Sequence, residues 1–278
     1  MRHSVVTAEI SPSETAIVIN ALIVVHPWVA PDRDMDIKGK KVFLTGGTSK
    51  LGRHLALALA SRGAEVAIHY NKSVSEAKAL EGIVTRQGGK AITTGADLRN
   101  LKELKRAFGK AWEKLCGIDV LINNASIFFP TPLDKITNLV WDKFLDINLK
   151  APFYLSREFV TRLGKRKGKI INIADSYSHL PSKNYLIYGI SKAALVAMTR
   201  GMAKAFAPSV TVNAVSPGPM ITEADNKEGF KTALEGALLK EGQRVEAFVN
   251  TVLFLIENDY ITGEEIFVDG GRALCSSR

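Results

Sequence analysis

The sequence predicts an α/β fold: a doubly wound, parallel sheet of seven strands with helices on both faces, in a single domain. Three observations predict it. Short runs rich in Val, Ile and Leu recur from residue 41 onward, amphipathic stretches alternate with them, and a glycine-rich turn follows the first run. Uniformly apolar runs suit strands buried on both faces, and strands that alternate with helices suit parallel crossovers. The right-handed crossover rule then leaves few topologies.

The predicted strands follow one another at regular intervals along the chain. They comprise residues 42–44, 65–69, 91–93, 120–122, 169–173, 210–212 and 265–268. Between them, apolar residues at helical spacing mark amphipathic segments such as Leu51–Arg62, Leu101–Leu115 and Ser191–Phe206. We find no internal repeat and no low-complexity linker, so residues 37–278 are assigned to this one domain.

Composition limits the class of protein. The 278 residues are 46% hydrophobic, which suits one large domain with a sizeable core. The net charge is +9, yet Lys and Arg are spread out and the only dense basic run is 165–167, so no nucleic-acid partner is predicted. Cys116 and Cys275 lie far apart without zinc-like spacing, which favours a reduced, cytoplasmic protein without a metal site.

Residues 1–36 do not fit the pattern. The stretch 16–25 is apolar except for Asn20, but it is too short to span a bilayer. Glu9 and Glu14 precede it without a strong basic region, which disfavours a signal peptide. We interpret this segment as a poorly ordered extension or the product of an upstream start assignment, and expect no membrane partner. A membrane-associating role is the alternative.

The glycine-rich turn Thr45–Gly52 leads directly from the first strand into a helix. Gly46 permits a tight turn, and Gly52 lets the helix pack closely on the sheet. The helix N-terminus offers free N–H groups and a positive dipole end to a pyrophosphate. A glycine string alone could be a simple loop, but a preceding strand and a following helix are the context that dinucleotide binding requires. The expected contacts are Gly46, Thr48, Ser49, Lys50, Leu51 and Gly52.

The end of the second strand indicates which dinucleotide binds. A site for NAD would place an acid here to accept hydrogen bonds from the ribose 2′-hydroxyl, but no acid occurs before Glu76. Lys72 and Ser73 instead offer charge and donors to a 2′-phosphate. An incidental lysine in a surface turn is the alternative. The sequence therefore predicts NADPH, with contacts from Tyr70, Asn71, Lys72 and Ser73.

Tyr188 and Lys192 are candidates for the reaction centre. A spacing of four places both on one face of a helix. A nearby ammonium favours the phenolate, so we expect the pKa of Tyr188 to lie below the usual value of about 10. Such a tyrosine can serve as an acid/base near neutrality.

Together these motifs resemble those of the short-chain dehydrogenase/reductase family, over roughly residues 40–273. The segments that carry the resemblance are Thr45–Gly52, Asn123–Ala125, Asn148, Tyr188 with Lys192, and Pro217–Pro219. The resemblance implies that Tyr188 donates the proton, Lys192 binds the nicotinamide ribose, and Asn148 holds a proton-relay water. It also implies a Rossmann-type fold and a homotetramer or homodimer. Further cofactor contacts implied by it are Asp97, Leu98, Asn124, Ala125, Ser126, Pro217 and Gly218.

Two positions depart from the family's usual pattern. Lys50 replaces the middle glycine of the turn, and Asp175 stands where a Ser normally polarises a substrate carbonyl. An ionised carboxylate only accepts hydrogen bonds and would repel a developing alkoxide, which disfavours carbonyl reduction unless Ser176 takes over. An Asp paired with a Tyr is better suited to protonating a ring nitrogen as hydride reaches the adjacent carbon. The alternative is that Asp175 only caps a helix or lies in a loop.

The departures resemble one branch of the family, the pteridine and dihydromonapterin reductases. These have Asp at this position, and their sequence also resembles the segment Asn123–Leu133. The resemblance implies that Phe128 stacks on the pterin and that Ser126 bonds the pterin or the cofactor phosphate. Phe128 as a core aromatic is the alternative. The expected substrate contacts are Lys50, Ser126, Phe128, Asp175 and Tyr188.

The sequence therefore predicts an NADPH-dependent reductase that converts a dihydropterin, or a dihydrofolate-like pterin, to the tetrahydro form. One alternative is an NADPH-dependent carbonyl reductase such as a 3-oxoacyl thioester reductase. Another is a catalytically idle dinucleotide-binding sensor or scaffold, against which Tyr188, Lys192 and Asn148 argue. Residues 220–244 resemble the family least, and we expect them to form a polar loop on the substrate side of the site.

Overall fold

The computed structural model describes residues 35–180, 182–220, 236–239 and 245–275. Within them, seven parallel strands form one sheet in the order β3-β2-β1-β4-β5-β6-β7. The strands are β1 (Lys41–Leu44), β2 (Glu65–Tyr70), β3 (Lys90–Gly95), β4 (Val120–Asn123), β5 (Gly168–Ile173), β6 (Val210–Pro217) and β7 (Glu265–Val268). The predicted doubly wound, seven-stranded sheet is confirmed.

The helices of the described part of the chain cover both faces of the sheet. They are α1 (Lys50–Ser61), α2 (Val74–Arg86), α3 (Leu101–Lys114), α4 (Asn138–Leu145), α5 (Ala151–Leu163), α6 (Leu186–Phe206) and α7 (Val245–Glu257). Side-chain caps start several of them; Asn100, for example, accepts hydrogen bonds from the N–H groups of Lys102 and Glu103 at the start of α3. One π-helical turn, Asp146–Lys150, joins α4 to α5.

Alternate residues of each strand enter two different cores, as the pleat requires. Val42 and Leu44 of β1 pack with Leu55 of α1 and Phe248 of α7 on one face. Phe43, between them, packs on the other face with residues of α3 and α5. Both faces are therefore buried, which explains why the strands read as uniformly apolar.

The order of the strands places the ligand-binding edge. The chain moves outward from β1 to β3 and then returns to β4, so the direction reverses between β1 and β4. Ligands of doubly wound folds bind outside the carboxyl ends of the strands at such a reversal. The turn after β1 and the segment after β4 meet there.

Residues from Met35 onward pack on the domain. The Met35 N–H donates to the Glu257 carbonyl at 3.1 Å, and the Ile37 side chain is buried. The interpretation of residues 1–36 as an extension stays a prediction, because residues 1–34 of that segment lie outside the described residues. The same holds for most of the predicted loop at 220–244. No helix in the described ranges is long and apolar enough to cross a membrane.

Candidate active site

The turn after β1 is built around two glycines. Gly46 has a φ of +60°, a conformation that side chains rarely adopt. A Cβ on Gly52 would collide with the carbonyl oxygen of Gly46, so only glycine lets α1 approach this closely. Ser49 caps α1 by accepting from the Gly52 N–H at 3.2 Å. The predicted residues Thr48, Ser49, Lys50 and Leu51 thus lie in this turn or in the first turn of α1.

Asn124, the first residue after the neighbouring strand β4, fixes the turn. Its Nδ2 donates to the carbonyl oxygens of Thr45 and Gly46 at 2.9 and 3.0 Å. In return, Thr45 Oγ1 accepts from the N–H groups of Asn124 and Ala125 at 2.9 and 3.0 Å. The structure therefore places Asn124 and Ala125 behind the turn as its support.

His69, which the sequence argument did not select as functional, supports the turn from the other side. It is buried in β2, and its Nδ1 accepts from the Gly46 N–H at 3.3 Å while Nε2 lies 3.1 Å from the Ala96 carbonyl. Burial lowers the pKa of His69 to about 4, so the ring is neutral near pH 7. These contacts require the proton on Nε2, and the ring joins the turn to the end of β3.

The residues expected near the 2′-phosphate lie together beyond β2 and β3. Asn71 and Lys72 are exposed, and Tyr70 and Ser73 are half-buried. Asp97 pairs with Arg99, whose Nη2 is 2.6 Å from Oδ2. The pKa of Asp97 is lowered mainly by its hydrogen bonds to Arg99, with a smaller effect from Lys72, which places Lys72 near this carboxylate. Buried Leu98 follows.

Asp175, Tyr188 and Lys192 meet at the carboxyl end of β5. The Tyr188 hydroxyl donates to Asp175 Oδ2 at 2.7 Å, and the Tyr177 N–H donates to Oδ1 at 2.9 Å. Asp175 also caps the 3₁₀ turn Ser176–Ser178, so its side chain both shapes the loop and faces the tyrosine. The Lys192 ammonium donates to the Ile173 carbonyl at 2.7 Å.

The expected lowering of the tyrosine pKa is wrong for this structure. Burial, and after it the charge of Asp175, raise the pKa of Tyr188 well above its ordinary value. Lys192 does not reverse this, since Nζ is 5.7 Å from the centre of the Tyr188 ring. Burial also raises the pKa of Asp175 and lowers that of Lys192 to about 8. The Tyr188 phenol therefore keeps its proton at neutral pH, and Asp175 is a weaker acid than an exposed aspartate.

Asn148 lies in the π-helical turn between α4 and α5 and is fully buried. Its Oδ1 accepts from the Ile127 N–H at 2.9 Å, and its Nδ2 donates to Ser191 Oγ at 3.0 Å. Ser191 in turn donates to the Tyr188 carbonyl at 2.7 Å. Asn148 thus ties the segment after β4 to α6, and its role in holding a relay water stays a prediction.

A pocket of about 370 Å³ opens beside Asp175. Its lining residues are Phe128, Asp175, Ser176, Tyr177, Tyr185, Gly218, Pro219 and Arg272. Gly218 follows Pro217, the last residue of β6, and borders the pocket together with Pro219, while the cofactor contacts expected of Pro217 and Gly218 stay a prediction. Ser126 lies close enough to the Tyr188 hydroxyl for a hydrogen bond that partly offsets the rise in its pKa. Lys50 does not belong to the lining found in the described residues.

Phe128 is 52% exposed, which argues against a core aromatic. One face stacks on Tyr185, with ring centres 4.6 Å apart and planes 5° from parallel, and Tyr188 meets it edge-on at 4.8 Å. Sequence reasoning missed Tyr185, Tyr177 and Arg272. The spacing of Tyr185 three residues before Tyr188 and the place of Arg272 directly after Asp269-Gly-Gly were the available signals.

The described residues contain no group of three or more His, Cys, Asp or Glu side chains suited to a metal.

Comparison with known sequences finds reductases of the acyl carrier protein type among the proteins similar to this chain. A family model described as enoyl-(acyl carrier protein) reductase matches residues 46–273. The 3-oxoacyl-[acyl-carrier-protein] reductase of Synechocystis is 31% identical over 236 residues, covering 83% of this chain and 96% of that protein. The corresponding reductase of Aquifex aeolicus is 32% identical over 249 residues, covering 86% and 99%.

Solved structures add a second kind of relative. The FolM alternative dihydrofolate reductase 1 of Brucella canis, complexed with NADP, superposes with a TM-score of 0.81 at 31% identity, covering 88% of this chain and 98% of that one. One family accounts for the length of the matches, the order of the strands, the glycine turn and the Tyr188–Lys192 pair. The chain belongs to the short-chain dehydrogenase/reductase family.

Proposed function

We propose that this protein is an NADPH-dependent reductase that reduces a ring C=N bond of a dihydropterin or a dihydrofolate-like pterin. The observation that carries the proposal is the 2.7 Å contact between Asp175 and the Tyr188 hydroxyl, at the border of an aromatic pocket. A carboxyl group replaces the hydroxyl that a carbonyl-reducing site would present there.

The residues of the turn fit NADPH. The close approach of α1 to Gly46, which a Cβ at position 52 would prevent, leaves the helix N-terminus free to face a pyrophosphate. Exposed Lys72 and half-buried Ser73 suit a 2′-phosphate. When bound, NADPH supplies the hydride. The solved FolM relative, which carries NADP, supports this choice of cofactor.

The protein's own part of the reaction is to hold the ring and deliver a proton. Phe128 offers a flat, half-exposed face on which a pterin can stack. Burial raises the pKa values of Tyr188 and of its hydrogen-bonded partner Asp175, so the Tyr188 phenol holds a proton near pH 7 that can pass to the ring nitrogen beside the carbon that receives hydride. The proton that leaves this pair is restored from solvent, so hydride and proton together complete the reduction.

Reduction of a 3-oxoacyl thioester is the second candidate, because the Synechocystis and Aquifex relatives carry that name. It would need a neutral donor for a developing alkoxide. Ser176 lines the pocket, but its Oγ is 3.5 Å from Asp175 Oδ1, and Asp175 rather than Ser176 faces Tyr188. This geometry favours the pterin.

We propose that the protein assembles as a homotetramer or a homodimer. This proposal rests on analogy with the family.

The test is a substrate panel followed by NADPH absorbance, with NADH alongside. We expect turnover of dihydrobiopterin, dihydromonapterin or dihydrofolate in preference to an acetoacetyl thioester. Asp175→Ser and Tyr188→Phe should each lower pterin turnover by about 10²-fold or more, the usual contribution of a positioned acid, while NADPH still binds. Full pterin turnover by Asp175→Ser would exclude the proton role. Thioester reduction that outcompetes pterins, or rises in Asp175→Ser, would instead support the second candidate.

A further inference from the structure

Glu265, the first residue of β7, carries a carboxylate whose side chain is only 4% exposed. Oε1 accepts from Ser216 Oγ at 2.5 Å and from Ser178 Oγ at 3.1 Å. Oε2 lies 2.8 Å from His179 Nε2. Acidic side chains are rarely buried this far unless they are paired, so these contacts need an explanation.

The partners of Glu265 belong to the three segments that carry the reaction centre. Ser178 and His179 follow Asp175 in its loop, and the Ser178 hydroxyl also lies 2.7 Å from the Asp175 carbonyl oxygen. Ser216 is on β6, directly before the Pro-Gly segment that borders the pocket. Arg200, on the helix that carries Tyr188, has Nη2 at 3.9 Å from Oε2. Glu265 thus touches the loop, the strand and the helix at once.

We propose that Glu265 is a positioning residue for Asp175. Through Ser178 and His179, its carboxylate fixes the main chain of residues 175–179. Asp175 is held at both oxygens, by the Tyr177 N–H and by the Tyr188 hydroxyl, so a small shift of this loop breaks one of the two contacts. Misplacement of a reacting group by about 1 Å can lower a rate by about 10²-fold. The inference holds for any substrate whose reduction depends on the position of Asp175.

The chain offers a matched control, because Glu264 is exposed and directly precedes β7. Glu265→Gln and Glu264→Gln remove the same charge one residue apart. For the substrate of the panel that the protein reduces, we expect Glu265→Gln to lower kcat by about tenfold, with the Kd for NADPH within about twofold of wild type. Glu264→Gln should leave both constants unchanged. Equal kcat values for the two variants would overturn the proposal, and so would an equal loss of NADPH affinity and kcat.

A second measurement needs no substrate, and so separates this inference from the proposed function. Amide hydrogen exchange of residues 175–180 should be faster in Glu265→Gln than in wild type and in Glu264→Gln, while exchange in β1 is unchanged. Unchanged exchange at 175–180 would contradict the proposal even if no pterin is reduced.

His179 provides a variant that does not disturb the buried carboxylate itself, because its own side chain is 44% exposed. His179→Gln should lower kcat in the same direction as Glu265→Gln but by less. The double variant should be no slower than Glu265→Gln alone, since both substitutions act through one contact. Fully additive losses would show that His179 and Glu265 act independently, against the proposal.

Discussion

Asp175 and Tyr188 determine each other's protonation more than Lys192 does. The spacing of four between Tyr188 and Lys192 correctly placed both residues in one helix, and from it we expected a lowered tyrosine pKa. In the structure the ammonium donates to the Ile173 carbonyl, whereas the carboxyl of Asp175 lies 2.7 Å from the phenol. Sequence spacing along a helix cannot show such a tertiary contact or the desolvation that comes with it.

Asp175 should reduce stability at neutral and alkaline pH. Burial raises its pKa in the folded protein above the ordinary value of 3.8, so the unfolded chain ionises first as pH rises. Stability is therefore lost between 3.8 and the raised folded value, and the cost persists above it. Asp175→Asn cannot ionise and still offers Oδ1 to the Tyr177 N–H.

We expect the Asp175→Asn variant to melt at a higher temperature than wild type at pH 8, although it should lose the proposed pterin reduction. The difference should shrink as the pH falls below 3.8, where the wild-type carboxyl is protonated in both states. Thermal melts across this pH range measure it. A difference that does not change with pH would mean that the ionisation of Asp175 does not cause it.

At the scale of elements, the segment after β2 should set the choice of nicotinamide cofactor. Lys72→Glu places a carboxylate where a 2′-phosphate is expected. A hydrogen bond to a charged group contributes about 1.5–3 kcal/mol, so the Kd for NADPH should rise about tenfold or more while that for NADH rises little or falls. Titration with both cofactors measures this, with Lys110→Glu on α3 as an exposed control of equal charge change. An unchanged NADPH-to-NADH ratio would remove Lys72 from the 2′-phosphate site.

The strands were predictable because burial on both faces of the sheet makes their residues uniformly apolar. Phe43, for example, enters one core while Val42 and Leu44 enter the other, and all three are apolar. Boundaries were less accurate: α6 begins at Leu186, whereas periodicity indicated residue 191. The apolar pattern is interrupted there by Tyr188 and Lys192, because the first turns of this helix serve the reaction centre.

Residues that act through long-range contacts were not predictable. His69 reads as one more residue of a buried strand, and nothing in the sequence shows that its ring meets Gly46 and Ala96. Glu265 is similar, since its partners lie 49 to 87 positions away. The residues proposed to contact a ligand formed motifs in the sequence, whereas those that hold them in place became visible only in the fold.

At the scale of the whole molecule, we expect the two cores to unfold together in a single transition. Phe248 is fully buried between α7 and the sheet, and its replacement by Ala should lower the free energy of unfolding by about 3–5 kcal/mol. Tyr260→Ala is the control, because Tyr260 is fully exposed just beyond the same helix. Denaturant titration should show one transition for each variant. Similar losses for the two variants would contradict the assigned packing.

The reversal of strand order between β1 and β4 has a consequence for how such a protein can diversify. The segments assigned to the adenosine end of the cofactor follow β1, β2 and β3, whereas those that border the pocket come after β4. The two sets are contiguous halves of the chain with a boundary near Asn123. A chimaera joined there to a related reductase would inherit its dinucleotide preference from one parent and its substrate choice from the other. The substrate of such an enzyme could therefore change while its nicotinamide cofactor stays the same.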